Sequence, residues 1–302
     1  MPKNRKAFSM VELIFVIVVL GIVASIGSET IAQVYRNMIP QKASFLASSK
    51  SELAAEQIAN RLSYAVPWSI VAKTATGGSP VELEFLPVGD TTHTMIEWIG
   101  MDGDSFEASA TQGWSGYCDV DSSTAENCPT HGSNLINTDT IIKKLGGTGI
   151  TDAVALFSTG FCTGITPYSI DNIGLTSNDS TCAFPVTGTG GGVVLTFNNN
   201  PKIRADIYKL AWSAYALVPG NWRDINGDGV NDVFDLQLRY NYQPWQNEGY
   251  ANASSQVIME NVSVFRISQS QNTIRFKICV KQPIGGGGTE FISMCKEKAV
   301  IR

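Results

Sequence analysis

The segment KAFSMVELIFVIVVLGIVASIG, residues Lys6–Gly27, contains a predominantly apolar run from Phe8 to Ile26 with one carboxylate, Glu12, near its start. As an α-helix, this run would be about 28 Å long, close to the roughly 30 Å hydrocarbon core of a bilayer. On insertion scales, an acidic side chain at the middle of a bilayer costs about 2.5–3.5 kcal/mol. The run therefore predicts a membrane-spanning helix whose carboxylate requires a specific explanation.

The residues before the span are short and basic, with Lys3, Arg5 and Lys6. Positive charges on this side keep the N-terminus cytoplasmic and send the rest of the chain across the membrane. An ordinary secretory signal, cut among the small residues Ala24–Ser28, is an alternative that the sequence leaves open. The core of such a signal does not normally contain a carboxylate, so Glu12 argues against this alternative.

The basic leader, Phe8, Glu12 and the apolar helix together resemble the class III leader of type IV prepilins and type II secretion pseudopilins. In that family the leader is cut before a Phe, and a Glu occupies the fifth position of the mature chain. Phe8 would be the first mature residue and Glu12 the fifth. Ala7 stands where the family almost always has Gly. The resemblance implies cleavage between Ala7 and Phe8 by prepilin peptidase, followed by N-methylation of Phe8.

Cleavage before Phe8 would explain the position of Glu12. The cut creates an α-amine with an ordinary pKa of about 7.7–8.0. Glu12 lies four residues further on, on the same helix face and near the positive end of the helix dipole. The resemblance implies that Glu12 pairs with the amine of a neighbouring subunit in a filament. The alternative is a carboxylate that extends from the end of the span into the headgroup region.

The helical pattern continues beyond the membrane span to about Ala65, and its second half is amphipathic. Pro40 is expected to kink the helix or open it locally, and Pro67 is expected to end it. Residues 8–66 would form the N-terminal helix after the 1–7 leader, and residues 67–302 would form a globular head. The fold class predicted is α+β: a long N-terminal helix packed on an antiparallel β-sheet, as in pilins.

Short apolar or alternating runs predict the strands of the head. Residues 100–150 and 160–192, rich in Gly, Ser, Thr and Asn, are predicted to be loops. The last two runs would form a hairpin that turns on Gly285–Gly288. The predicted strands are 81–86, 94–99, 153–158, 193–197, 210–217, 257–268, 273–281 and 290–301, with a further alternating run at 235–242.

All six cysteines follow the span, and with only two histidines in the chain the residue types of a zinc site are lacking. An even cysteine count beyond a membrane anchor indicates disulfides in an oxidising compartment. Six cysteines allow 15 connectivities, and reduced core cysteines are the alternative. The provisional pairing joins sequence neighbours, and the hairpin at Gly285–Gly288 supports its last member. The pairs are Cys118–Cys128, Cys162–Cys182 and Cys279–Cys295.

The stretch DINGDGVNDVFD, Asp224–Asp235, matches an EF-type calcium loop. Oxygen-bearing side chains fill positions 1, 3, 5, 9 and 12, and Gly229 occupies position 6. Position 12 is Asp rather than Glu, and the residues that follow alternate as a strand does. The loop resembles the single calcium loops of dockerins and some pseudopilins, and the alternative is a polar turn without metal. The predicted ligands are Asp224, Asn226, Asp228, the carbonyl of Val230, Asp232 and Asp235.

The composition and charge of the chain argue against several classes of function. With 43% hydrophobic and 16% charged residues the chain is globular rather than disordered. Its net charge of -5 becomes -8 when the three leader cations are removed, and no basic stripe is present, so nucleic-acid binding is not expected. No catalytic motif is recognisable, so the chain is not expected to be an enzyme.

The function predicted is a structural subunit, a minor pilin or J/W-type pseudopilin, of a bacterial type IV pilus or type II secretion pseudopilus. Its partners would be prepilin peptidase, other pilin subunits and the inner membrane. It would begin as a single-pass inner-membrane protein with a periplasmic head and then enter a filament. The alternative is a single-pass, calcium-dependent adhesion or ligand-binding protein that does not polymerise.

Overall fold

The computed structural model describes residues 9–66, 69–74, 80–87, 89–108, 112–157, 183–198, 205–284 and 290–301. Its first element is one α-helix, α1, Met10–Ser63. Ser9 caps the helix, because its Oγ accepts a hydrogen bond from the backbone N–H of Glu12 at 3.3 Å. The helix continues through Pro40 without a break. The loss of one backbone hydrogen bond at this proline therefore does not open the helix locally.

The two halves of α1 have different surroundings. Nearly every residue from Met10 to Ile39 is exposed, whereas the second half buries one face on the head. Most of the buried residues are small, which allows the helix backbone to approach the sheet closely. Ile58 and Leu62 supply the largest side chains of this face. The residues buried on this face are Ala43, Ala47, Ser51, Ala54, Ala55, Ile58 and Leu62. The amphipathic second half that the sequence indicates is therefore present, and it anchors the head.

The described part of the head forms a sheet of twelve strands in which every pair is antiparallel, so the α+β fold class is confirmed. The strands, in chain order, are β1 Val71–Thr74, β2 Val81–Glu82, β3 His93–Met101, β4 Asn127–Pro129, β5 Val154–Phe157, β6 Ala183–Thr189, β7 Val194–Phe197, β8 Tyr208–Arg223, β9 Val233–Tyr240, β10 Ser254–Ser270, β11 Thr273–Pro283 and β12 Phe291–Ile301.

The long strand β8 organises the sheet. One continuous path runs β12-β11-β10-β9-β8-β5-β6-β7-β4, and β3 also pairs with β8 and carries β1 and then β2. Helix α1 packs on β12 and β11 and touches β10. A main core fills the space between α1 and these strands. A second core lies between β5–β8 and the helix α3, Leu135–Lys144.

The structure differs from the sequence predictions in three places. Residues Leu83–Phe85 form a turn of 3-10 helix where a continuous strand was expected. The region 100–150, predicted to be loop, contains the helices α2, Gly103–Phe106, and α3, as well as strand β4. Strands β1 and β6 were not predicted, and all of β6, Ala183–Thr189, lies within the region 160–192 that was predicted to be loop.

Helix α3 did carry recognisable signals. The side chain of Asn134 caps it by accepting from the N–H of Asn137, and Lys143 and Lys144 occupy its last turn. The region around α3 is rich in small polar residues, and this composition favours a loop even though the caps indicate a helix. The expectation of loop here gave composition too much weight and helix caps too little.

Candidate functional site

The N-terminal half of α1 is the first candidate site. It is the one helix among the described residues that is long and apolar enough to cross a membrane, and its apolar window is entirely unburied within the chain. Its Phe, Leu, Ile and Val side chains are therefore not buried by any of the residues that the structure describes. A continuous helix joins this exposed half to the half that packs on the head.

Glu12 lies in the first turn of α1, where free backbone N–H groups and the helix dipole favour a negative charge. Its side chain is exposed, at the same end of the helix as the expected new N-terminus. Ala7 and Phe8, the predicted cleavage and methylation positions, lie outside the described residues.

A cluster of charges ties α1 to the C-terminal strand. Lys296 and Lys298 on β12 each approach the carboxylate of Glu52 at 3.0 Å, and Lys298 approaches Glu56 at 3.5 Å. The hydrogen bonds from Lys298 and Lys296 lower the pKa of Glu52. These exposed pairs contribute little energy individually. They do fix the side of the helix that faces β12.

Two disulfides join described residues of the head, Cys118–Cys128 and Cys279–Cys295. Cys279 and Cys295 are directly opposite one another in the β11–β12 register, as expected for the two arms of a hairpin. Both agree with the neighbour pairing made from the sequence. Cys162 and Cys182 lie outside the described residues, as do the glycines of the hairpin turn.

The first half of the candidate calcium loop is an exposed turn between β8 and β9. Asp224 holds it together, since its carboxylate accepts hydrogen bonds from the backbone N–H groups of Gly227 at 2.6 Å and Gly229 at 2.7 Å. Both glycines have positive φ, 79° and 86°, a conformation that favours Gly. These backbone hydrogen bonds lower the pKa of Asp224, that from Gly229 contributing most. The sequence match therefore corresponds to a real tight turn.

Asn226 and Asp228 lie on the same turn. The Asn226 Nδ2 group donates to Asp228 Oδ2 at 2.9 Å, and Asp228 Oδ1 accepts from the N–H of Val230 at 2.8 Å. Three of the predicted ligands, Asp224, Asn226 and Asp228, are thus close together on an exposed surface.

The last two predicted ligands are held by cations of the protein. Asp232 Oδ2 accepts from Lys281 Nζ at 2.8 Å. Asp235 is buried on β9 and forms a two-pronged ion pair with Arg223, at 2.6 and 3.0 Å. These interactions lower the pKa of each carboxyl, chiefly through Lys281 for Asp232 and through Arg223 for Asp235.

The oxygen ligands of the loop are of the kind that calcium prefers. Its carboxylates, however, do not converge: two lie on the exposed turn, and the other two are held in ion pairs. Across the described ranges, which include the whole loop, no three His, Cys, Asp or Glu residues form a group that could hold a metal ion. Coordination by Asp232 and Asp235 would require their release from Lys281 and Arg223. Calcium binding at this loop therefore stays a prediction.

Two buried acids with a raised pKa, Asp102 and Glu97, were not singled out by sequence reasoning. Asp102 is 3% exposed and caps α2 by accepting a hydrogen bond from the N–H of Ser105 at 3.1 Å. Burial raises the pKa of Asp102 to about 6. Glu97 on β3 is also buried, its pKa raised by desolvation, and it accepts a hydrogen bond from Tyr242 at 2.7 Å. No local sequence pattern distinguishes these acids from exposed ones.

Comparison with known proteins identifies the kind of segment that forms the N-terminus. Residues 2–28 match the family described as the prokaryotic N-terminal methylation motif. This motif is the class III prepilin leader of type IV pilins and pseudopilins, so the chain carries that leader. No curated protein and no solved structure matches the chain. A leader of this kind followed by an apolar helix fits a membrane-anchored, pilin-type subunit that prepilin peptidase processes.

Proposed function

We propose that this chain is a minor pilin or J/W-type pseudopilin, a structural subunit of a type IV pilus or of a type II secretion pseudopilus. The observation that carries the proposal is α1. A methylation-motif leader opens directly into a helix whose first half is apolar and unburied and whose second half anchors a large head. Such a helix gains its missing apolar contacts first in the membrane and then among neighbouring helices in a filament.

The size of the head and the sequence that follows the membrane span favour a minor subunit of the filament over a major one. The head accounts for most of the 302-residue chain, and the stretch AAEQIANRLSYAVP, residues 54–67, contains the last turns of α1, which ends at Ser63. A bulky head suits the end of a filament, where it does not have to be accommodated by a repeating lattice of neighbours. The subunit would be stored in the inner membrane with its head in the periplasm, where the disulfides form.

An anchored, calcium-dependent adhesion or ligand-binding protein that does not polymerise is the second candidate. The acidic turn Asp224–Asp228, exposed at the β8–β9 connection, favours it. The two candidates differ in processing, because an anchor stays uncut or is cut after Ala24.

N-terminal sequencing and mass spectrometry of the mature chain test the proposal. We expect the chain to begin at Phe8 with an N-methylated α-amine. Ala7→Gly restores the residue usual in the family and should be processed at least as completely as the parent chain. A mature chain that retains residues 1–7, or one that begins after Ala24, would refute the pilin-type assignment.

We also propose that the loop Asp224–Asp235 binds calcium in the millimolar range. Loops of this kind in extracellular modules bind with dissociation constants of roughly 10⁻⁴–10⁻³ M. At about 10 mM calcium, binding to the folded state alone would stabilise the protein by about 1.4–2.7 kcal/mol. We expect a higher melting temperature with calcium, an increase that Asp228→Ala abolishes and the exposed control Asp121→Ala retains. An equal response in all three proteins would exclude this loop.

A further inference from the structure

A cavity of about 490 Å³ lies between the last turns of α1, the helix α2 and the face of the sheet on which α1 packs. Cavities of roughly 300–1,000 Å³ are the usual size of small-molecule sites in proteins. Strands β3, β8, β9 and β10 all contribute to its floor. Every lining residue lies in a helix or a strand or directly follows a helix, so fixed elements rather than loops shape the cavity.

One face of α1 supplies polar side chains to the cavity. Gln57, Asn60, Arg61 and Tyr64 recur at spacings of three and four, so they share this face. Gln256 on β10 adds a further amide. The described residues offer no hydrogen-bond partner to the side chains of Gln57, Asn60 and Gln256. Each of these amides is therefore available both to donate and to accept.

The ring of Tyr64 is held in place at the edge of the cavity. It lies against Gly103, where an added Cβ would be 2.6 Å from Tyr64 Cε1, so a larger residue would displace the ring. Its hydroxyl donates to Glu107 Oε1 at 2.7 Å. The side chain is nevertheless 37% exposed. Held at these two points, the ring presents its exposed part as a fixed surface on which a ligand can stack.

The charged groups of the cavity favour a neutral ligand. Asp104 and Glu107 supply two carboxylates, and Arg61 supplies one guanidinium. That guanidinium lies over the Tyr215 ring, 5.1 Å from its centroid, and the Tyr215 ring itself lies against Gly100. The excess of carboxylates disfavours an anion, and the guanidinium disfavours a small cation. A neutral molecule that carries both donors and acceptors matches this mixture of groups.

We propose that this cavity binds a neutral carbohydrate. A sugar ring is apolar on its C–H faces, and its hydroxyls both donate and accept hydrogen bonds. A C–H face stacks on Tyr64, and the hydroxyls bond to the amides of Gln57, Asn60 and Gln256. The inference goes beyond the proposed function and does not depend on it, because binding requires the folded head and not the filament.

Saturation-transfer NMR on the purified, full-length chain tests the inference. The detergent lacks a sugar headgroup, so that it does not compete for the cavity. The probes are glucose, galactose, mannose and N-acetylglucosamine, with glucuronate as the anionic and glucosamine as the cationic comparison. We expect at least one neutral sugar to receive saturation at its C–H protons. Glucuronate should bind at least about tenfold more weakly than that sugar, because Asp104 and Glu107 repel its carboxylate.

Tyr64→Ala removes the stacking surface and should weaken binding about tenfold, whereas Tyr64→Phe keeps the ring and should bind within about threefold of the parent chain. The matched control is Tyr117→Ala, which removes a tyrosine that is 45% exposed and lies outside the cavity. This control should leave binding unchanged. Melting temperatures show whether each variant folds.

Should Tyr64→Ala fail to fold, the double variant Gln57→Ala, Asn60→Ala on the exposed face of α1 gives the same test, again with a loss of about tenfold. The inference is overturned if none of the four neutral sugars binds the folded parent chain, or if glucosamine alone binds. Binding that the cavity substitutions change no more than Tyr117→Ala does would also overturn it.

Discussion

A Glu12→Ala chain should reach the membrane and lose its leader normally, yet fail to enter filaments. The substitution removes a carboxylate from the apolar half of α1, so insertion of the isolated span should be at least as favourable as before. Assembly is different, because the charged amine of Phe8 on an incoming subunit would meet no carboxylate in the apolar filament core. Leaving one buried charge unpaired costs about 3–5 kcal/mol. Incorporation should therefore fall by a factor of about 100 or more.

The comparison variant for this experiment is Glu29→Ala. Glu29 is an exposed acid on the same helix, beyond the apolar run, and its loss should leave incorporation unchanged. The measurements are membrane level, N-terminal processing and co-purification with sheared filaments. Should Glu12→Ala enter filaments as well as the parent chain does, Glu12 is not the partner of the amine and extends to the headgroup region instead.

Asp102→Asn should stabilise the head at neutral pH. Burial raises the pKa of Asp102 from its ordinary value of 3.8 to about 6 in the folded protein. The folded state thus binds this proton more tightly than the unfolded state, and folding stability falls as pH rises from about 4 to about 6. Two pKa units correspond to about 3 kcal/mol, all of it lost above pH 6. Asn carries no charge, so the variant does not lose this folding stability as the pH rises.

The structure indicates that Asn fits at position 102. Its amide oxygen can keep the hydrogen bond from the N–H of Ser105 that caps α2. Its amide nitrogen replaces Asp102 Oδ2, a buried oxygen to which the described residues offer no hydrogen-bond partner. We therefore expect Asn to preserve the local fold.

Denaturant unfolding of the disulfide-bonded chain between pH 4 and pH 8 measures the effect. The stability gained by Asp102→Asn should approach about 3 kcal/mol at pH 7 and vanish near pH 4. Glu97 also has a raised pKa, so the difference between the two proteins, rather than the pH profile of either, is diagnostic. The exposed Asp121→Asn should show no such difference. A variant less stable than the parent at pH 7 would mean that the ionised carboxylate of Asp102 is stabilised by an interaction of its own.

The amino-acid sequence alone predicted those features of the protein that are determined by residues adjacent in the chain. The basic leader, Phe8, Glu12 and the apolar run are consecutive residues, and their pattern predicted both the leader and the span. The amphipathic half of α1 follows from a 3.6-residue period. The Cys279–Cys295 pair follows from a hairpin between neighbouring strands. Glycines at tight-turn positions likewise predicted the turn that begins at Asp224.

Only the tertiary structure decided the features that depend on residues distant in sequence. Lys281 is 49 positions from Asp232, and it is the β11 strand that brings the ammonium to this carboxylate. Asp102 is 3% exposed, and distant residues bind its backbone: its N–H donates to the carbonyl of Leu210 on β8 at 2.8 Å, and the Trp114 indole N–H donates to its carbonyl at 2.9 Å, which its neighbours in sequence do not reveal. The physical reason is common to both: periodicity and caps are set by adjacent residues, whereas burial and ion pairing are set by which distant segments pack together.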